Sequence, residues 1–213
     1  MEEALLRAGE GHWCLVNYGS PPAIVMGFSG TVNDVVHAPA IPVIRRFSGG
    51  GTVVVDEDTV FFSLILDGTA LSFPANPVDV MRWVGMLVAP AFLPKTMVVE
   101  EQDYTIDGRK VGGNAQSFSR GRFVHHTSFL WSWDKERMAL LNMPVRQPAY
   151  RRRRSHNDFC HKVSEFFPTK EDMIQALEQC LQPWFVCVSV SEDELGPTLQ
   201  KPHRRTLRVE SGM

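Results

Sequence analysis

Cysteine is scarce in this chain. The four residues, Cys14, Cys160, Cys180 and Cys187, form no CxxC pair and lack the dense spacing of a secreted disulfide framework. A reducing compartment, cytoplasmic or organellar (mitochondrial or plastid), is the expected setting. Long apolar runs are missing too: nothing approaches the roughly 20 residues that cross a bilayer, and no charged leader precedes a short apolar stretch. The chain therefore reads as soluble, without a membrane partner. Its opening, Met1–Arg7, already looks like part of an amphipathic helix, which leaves room for a leader in a longer product. An excess of one charge is also absent, with 22 Lys and Arg against 24 Asp and Glu. Nucleic acid is therefore not an expected partner, and any basic surface must be local. There is no internal repeat and no low-complexity block.

What is present suffices for a packed core: 213 residues, 44% hydrophobic and 22% charged. Strand signals fill the first two thirds. Trp13–Tyr18, Ala23–Phe28, Val43–Phe47, Thr52–Val55 and Val60–Leu66 are β-branched or aromatic runs divided by Gly, Pro, Asn and Asp. Asn76-Pro77 supplies an N-cap and a first-turn proline for a helix ending near Pro90. Val98–Ile106 and Arg109–Phe118 flank Asp107-Gly108, a pair suited to a two-residue hairpin turn. Phe123–Trp133 continues the sheet, and Asp134 caps a helix running to about Asn142. Ser155-x-x-Asp158 and Thr169-x-x-Asp172 open two more helices, and Trp184–Val190 reads as a last strand. The prediction is an α/β protein of α+β type: a mixed, largely antiparallel sheet flanked by helices, chiefly on one side. One domain spans 1–190, and 191–213 is expected to be a flexible polar tail.

Two segments combine positive charge with adjacent glycines. They are Arg45-Arg46-Phe47-Ser48-Gly49-Gly50-Gly51-Thr52 and Asp107-Gly108-Arg109-Lys110-Val111-Gly112-Gly113-Asn114-Ala115-Gln116. Glycine has no Cβ to hold an anion away, so bare N–H groups and a cationic side chain can close on one phosphate or carboxylate. The first segment is no Walker loop, because no Gly-Lys-Ser/Thr follows, and no dinucleotide fingerprint, because no helix follows at GxGxxG spacing. On a strand the two arginines alternate, so only one need face such a site. Lys110, just past the tight turn and before two glycines, can reach an anion that the neighbouring amides also approach.

The order of these segments, followed by His125-His126-Thr127-Ser128-Phe129-Leu130, resembles the catalytic domain of the lipoate-protein ligase and biotin-protein ligase family, on the lipoate side. The resemblance runs from about Glu3 to Val163 and takes in Pro148-Ala149-Tyr150-Arg151 and Arg154-Ser155-His156-Asn157-Asp158-Phe159. It implies a class II synthetase-like, biotin-ligase-like catalytic domain and a two-step acyl transfer. A carboxylic acid, lipoate or octanoate, attacks the α-phosphate of ATP, with Mg²⁺ accompanying the nucleotide, and a lysine amine on a carrier then takes the acyl group. The implied carriers are lipoyl domains of 2-oxoacid dehydrogenase complexes or the glycine cleavage H protein. By the same resemblance Lys110 is the catalytic cation at the acyl carbonyl and phosphate. The acyl-adenylate site then takes in Arg45, Arg46, Ser48, Gly49, Gly50, Gly51, Thr52, Val53, Val54, Asp56, Gly112, Gly113, Asn114, Ala115 and His126.

The pattern has departures. Val55 stands where many members have His, Asp58-Thr59 where Gly-Asn is common, and Gln102-Asp103 where Asn-Asp is frequent. The accessory C-terminal domain of larger bacterial ligases has no counterpart of its length here, which admits an accessory subunit. Two alternatives stand beside the ligase: an octanoyl or lipoyl transferase working through a cysteine thioester, for which Cys160 is the candidate, and a non-catalytic or partner-dependent subunit that binds lipoyl domains. The Gly-Arg-Gly-Arg-type loop of biotin ligases is absent. Adjacent His125 and His126 point to opposite faces of a strand with no third ligand in view, so no metal site is assigned. Arg151–Arg154 reads as a solvated loop suited to an acidic carrier or a phosphate.

Overall fold

The computed structural model describes residues 1–35, 40–202 and 207–209. Helix α1 (Glu2–Ala8) leads into strands β1 (Trp13–Asn17), β2 (Ala23–Met26), β3 (Val43–Arg45), β4 (Val53–Val55) and β5 (Thr59–Asp67). Helix α2 (Pro77–Val88) crosses to β6 (Val98–Glu100), β7 (Asp103–Ile106), β8 (Arg109–Ser119) and β9 (Arg122–Leu130). Short helices α3 (Lys135–Met138) and α4 (His156–Phe159) precede α5 (Lys170–Leu181), α6 (Glu192–Gln200) and strand β10 (Leu207–Val209).

The larger sheet has six strands in the order β1-β5-β9-β8-β7-β6, every neighbour antiparallel. Its faces follow from the two-residue period of a strand. Phe62, Leu64 and Leu66 of β5 join Val80 and Val84 of α2 and Ile174 and Leu177 of α5 in the main core. Ile65 and Val124 point the other way, onto Leu5 and Leu6 of α1 and Leu195 of α6. A smaller sheet, β10-β3-β2-β4, contains one parallel pair, β2 with β3, and packs Ile24, Met26, Val43 and Val54 against Met138 and Leu141.

Local chemistry accounts for the helix starts. Asn76 Oδ1 accepts from the backbone N–H groups of Val78 and Asp79, and Pro77 fills the first turn of α2. Thr169 and Asp172 cap α5 reciprocally. In α2, a Cβ on Gly85 would lie 2.2 Å from Val99 Cγ2, so only glycine lets helix and β6 approach this closely.

The α/β architecture with a largely antiparallel sheet flanked by helices is the one the strand pattern predicts, but several elements differ. The strands divide between two sheets, and the helices lie on both faces of the larger one rather than chiefly on one, with α1 and α6 on the face of Ile65 and Val124. The single run Val98–Ile106 is a hairpin, because Glu101 adopts φ 55° and turns the chain between β6 and β7. Helix α3 stops at Met138, and Asn142 instead bonds the carbonyls of Asn33 and Val35. Residues 184–190 form no strand; Val186 and Val188 are exposed, and Phe185 packs beside Trp83. The segment read as a tail folds over 192–200: Ser191 and Glu194 form a capping box, and Leu195 is buried on α1. Two well-placed leucines, Leu195 and Leu199, and a cap outweigh the segment's low apolar content. Residues 203–206 and 210–213 of that expected tail lie outside the described residues.

Candidate functional site

The site begins at the β7–β8 turn. Asp107 and Gly108 both have positive φ, 51° and 68°, as a two-residue hairpin matched to strand twist requires. Thr105 pairs with Lys110, but Tyr104 pairs with Gly112, so Val111 is an extra residue in β8. This bulge shifts the alternation, placing Lys110 on the same face as Gly113. A Cβ on Gly113 would lie 3.1 Å from Lys110 Cε and 3.2 Å from its Nζ, so the lysine runs across a residue that must be small. Beyond it waits Asp103, the strand partner of Gly113, whose Oδ1 is 2.7 Å from Lys110 Nζ. Tyr150 donates to the other oxygen of Asp103 at 2.7 Å.

The glycine loop lies on the same face. Gly49 N donates to the carbonyl of Gln116, and Gly50, at φ 97°, sits over Asn114 O and Ala115 Cβ. Only Gly50 is required by backbone conformation. Among the described residues, a Cβ at Gly49 or Gly51 would meet nothing within 4 Å, so none of them covers that side of the loop. Arg46 is spent within the loop: Nη2 donates to the carbonyls of Gly49 (2.7 Å) and Gly51 (2.8 Å), and Nη1 to that of Val25. Burial lowers its pKa to about 10, while the charge of Glu2 pulls the other way. Arg45 holds the neighbouring turn through the carbonyls of Phe28 (2.9 Å) and Gly30 (2.6 Å). Thr52 donates to Asp34 Oδ2, which also accepts from Thr31 N.

Of the residues anticipated from sequence, the structure thus gathers Lys110, Gly113, Ala115 and the loop from Arg46 to Gly51 on one face. His126 joins them, since its Nε2 lies 2.8 Å from the Oγ of the fully buried Ser48. Others sit elsewhere. Asn114 turns to the opposite face, accepting from Thr127 Oγ1 at 2.6 Å and donating to Gln102 O. Gly112 faces Thr127 and Phe129, where a Cβ would come within 3.0 Å of each, so its lack of a side chain serves packing. Val54 belongs to the core of the smaller sheet, and Val53 is half-buried beside it on β4. Asp56 organises the β4–β5 turn, accepting from Asp58 N and pairing with Arg137 at 3.1 Å, and is not part of the cluster.

His125 points to the helix side. It contacts Tyr104 OH and Gln116 Nε2, and burial pushes its pKa down to about 3, keeping it neutral. Cys160 caps α4 and bridges to Lys110 through the backbone. Burial pushes its thiol pKa up, against the pull of Lys110 and Arg151, which is the wrong direction for a thiolate nucleophile. The arginine loop is also less solvated than its sequence implies. Arg151 is buried with its guanidinium 4.6 Å from the Phe159 ring centre, and Arg154 donates to the carbonyls of Gly108 and Tyr150. Arg152 and Arg153 remain exposed, both at positive φ. Among the described residues no group of three or more His, Cys, Asp or Glu side chains is placed to hold a metal ion.

Sequence reasoning passed over Asp103, Tyr150 and Glu2 as site residues. For Asp103 a signal existed, because the Asp107-Gly108 turn fixes which residues of β7 and β8 face each other; the bulge then moves the register by one. Tyr150 and Glu2 reach the site from distant parts of the chain, and no local pattern announces them.

Comparison with known proteins identifies the family. The family model of the lipoyl protein ligase A/B catalytic domain matches residues 1–182, and the chain belongs to that family. A Plasmodium falciparum protein named inactive lipoate–protein ligase 2 is 27% identical over 198 residues, covering 74% of this chain and 51% of its own length. The Bacillus subtilis lipoate-protein ligase LplJ is 31% identical over 125 residues, covering 55% of this chain and 36% of its own. The chain thus spans about half or less of these relatives' lengths. Two solved structures share the fold. One is a bipartite lipoate protein ligase system from Thermoplasma acidophilum described with its E2 lipoyl domain (TM-score 0.73, 19% identity, 93% of this chain and 83% of that one). The other is lipoate-protein ligase A bound with ATP (TM-score 0.72, 18% identity, 93% and 85%).

Proposed function

We propose that this chain activates lipoate or octanoate with ATP and passes the acyl group to a lysine of a lipoyl carrier domain. In the first step a carboxylate oxygen attacks the α-phosphorus and pyrophosphate leaves. In the second the carrier amine attacks the acyl carbonyl carbon, AMP leaves, and the amine loses a proton. The observation that carries this reading is the convergence, on one face, of Lys110 laid across Gly113 with a glycine loop whose outer side no described residue covers. A fixed ammonium there stabilises the negative charge that grows on the phosphate and carbonyl oxygens in both transition states. The loop approaches the phosphates without a Cβ at Gly51, and Arg46 keeps the loop in shape. The chain's carboxylates near this face are engaged by Lys110, Tyr150 and His126, so Mg²⁺ would come with the nucleotide's own phosphates.

The carriers that fit are lipoyl domains of 2-oxoacid dehydrogenase complexes or the glycine cleavage H protein. Support comes from the family and from a fold neighbour described with its E2 lipoyl domain. The deciding experiment supplies lipoate or octanoate, ATP·Mg²⁺ and an apo-lipoyl domain to the wild type and to Lys110→Ala. Pyrophosphate release and carrier acylation that both depend on Lys110 support the ligase. Transfer from an acyl thioester, without ATP and abolished by Cys160→Ser, makes the protein a transferase. Lipoyl-domain binding with neither activity leaves a non-catalytic or partner-dependent subunit, the reading favoured by a relative named inactive.

A further inference from the structure

Glu2 belongs to the first turn of α1, yet its carboxylate reaches under the glycine loop. One oxygen accepts from Ser63 Oγ, and the other lies 3.0 Å from His126 Nδ1. His126 Nε2 is 2.8 Å from Ser48 Oγ, which accepts from Arg46 Nε at 3.1 Å. The donors order themselves. An arginine Nε–H can only donate, so Ser48 Oγ accepts there; a carboxylate can only accept, so the contact between His126 Nδ1 and Glu2 is made by a proton on Nδ1. The chain of contacts ends at the guanidinium that bonds the carbonyls of Gly49 and Gly51. Arg46 is in none of the ion pairs found among the described residues, and Glu2 is the acid whose charge acts on it.

We propose that Glu2 is a positioning residue for the glycine loop: through His126 and Ser48 it fixes Arg46, and with it the backbone that meets an incoming phosphate. It is not a catalytic residue, since its carboxylate is spent on Ser63 and His126. The proposal rests on the ATP-dependent reading for its kinetic consequence, while its structural consequence stands without that reading.

The test uses the whole chain as wild type, Glu2→Ala and Glu2→Gln, with two readouts. In the first, ATP-dependent pyrophosphate exchange, Glu2→Ala raises the KM for ATP about tenfold while the Kd for lipoate stays within about twofold. Glu2→Gln, which can still accept from His126 but lacks the charge, falls between. The second is hydrogen exchange of the amides that pin the loop: Arg46 N to Met26 O, Phe28 N to Ser48 O and Gly49 N to Gln116 O. In Glu2→Ala these exchange at least about tenfold faster, while amides of β5 and β9 keep their protection. Unchanged exchange at the loop overturns the proposal, and so does uniform loss across the sheet, which marks a merely structural anchor. If the wild type neither binds ATP nor releases pyrophosphate, the ligase reading fails, and the exchange readout still decides the role of Glu2.

Discussion

At the scale of single residues, the ion pair between Lys110 and Asp103 decides what the lysine can do. Both side chains are largely buried, so the ammonium has few alternative positions, and Tyr150 fixes the carboxylate from its other oxygen. A hydrogen bond to a charged group contributes about 1.5–3 kcal/mol. On the proposed ligase reading, Tyr150→Phe is therefore expected to slow adenylate formation roughly tenfold through loosened lysine geometry, against a loss of about a hundredfold or more for Lys110→Ala. Pyrophosphate exchange at saturating ATP measures both, and wild-type rates in Tyr150→Phe would show that Asp103 needs no support. A second residue contributes to the loss of stability in acid. The folded-state pKa of His125 is depressed to about 3 by burial, so the unfolded chain binds its proton first as pH falls. Its contribution is complete above about pH 6.5 and is lost progressively toward pH 3, by at most about 1.4 kcal/mol per pH unit. Burial also lowers His156, to about 4, so the two overlap. Comparing urea midpoints from pH 7 to 4 in wild type and His125→Gln isolates the first: the variant, less stable at pH 7, loses stability less steeply.

At the scale of elements, α2 poses a contest between propensity and packing. Replacing glycine by alanine inside a helix ordinarily stabilises by roughly 0.5–1 kcal/mol. At Gly85 the new Cβ would stand 2.2 Å from Val99 Cγ2 and 3.4 Å from Tyr104 Cε1, so Gly85→Ala is expected to destabilise by about 1–3 kcal/mol instead. Thermal denaturation gives the sign, and a raised melting temperature would show that β6 can retreat. Helix starts were legible in the sequence because a cap is a contact between residues two or three apart. Asn76-Pro77, Thr169 with Asp172, and the Asp107-Gly108 turn needed nothing else. What the sequence hid depends on partners far along the chain. Nothing near Val111 declares a bulge, Trp184–Val190 alternates like a strand but finds no ladder, and Leu195 gains its meaning from Leu5 and Leu6. The motif residues were legible as a group, but strand alternation and packing then sorted them, sending Asn114 and Gly112 to the far face and Asp56 to a turn.

At the scale of the whole molecule, the proposed function asks how a nearly neutral protein would attract a lipoyl carrier. With a formal charge of −2 the chain has no long-range pull of its own, so selection must come from a local patch. The four-arginine run divides in two. Arg151 and Arg154 turn inward, over Phe159 and onto backbone carbonyls, and anchor the segment beside the Lys110 hairpin. Arg152 and Arg153, both at positive φ, are left exposed on an anchored loop, which makes them cations available to an acidic surface approaching the site. Exposed charges act through encounter rather than through the chemical step, and salt screens them over about 8–10 Å. Reversing both, Arg152→Glu with Arg153→Glu, is accordingly expected to raise the KM for an apo-lipoyl domain several-fold, leaving the KM for ATP and the rate of pyrophosphate exchange as in wild type. The wild-type carrier KM should rise with added salt and the variant's should not. If the variant acylates the carrier with wild-type KM at low salt, the exposed arginines take no part in docking, and recognition must lie on another face of the molecule.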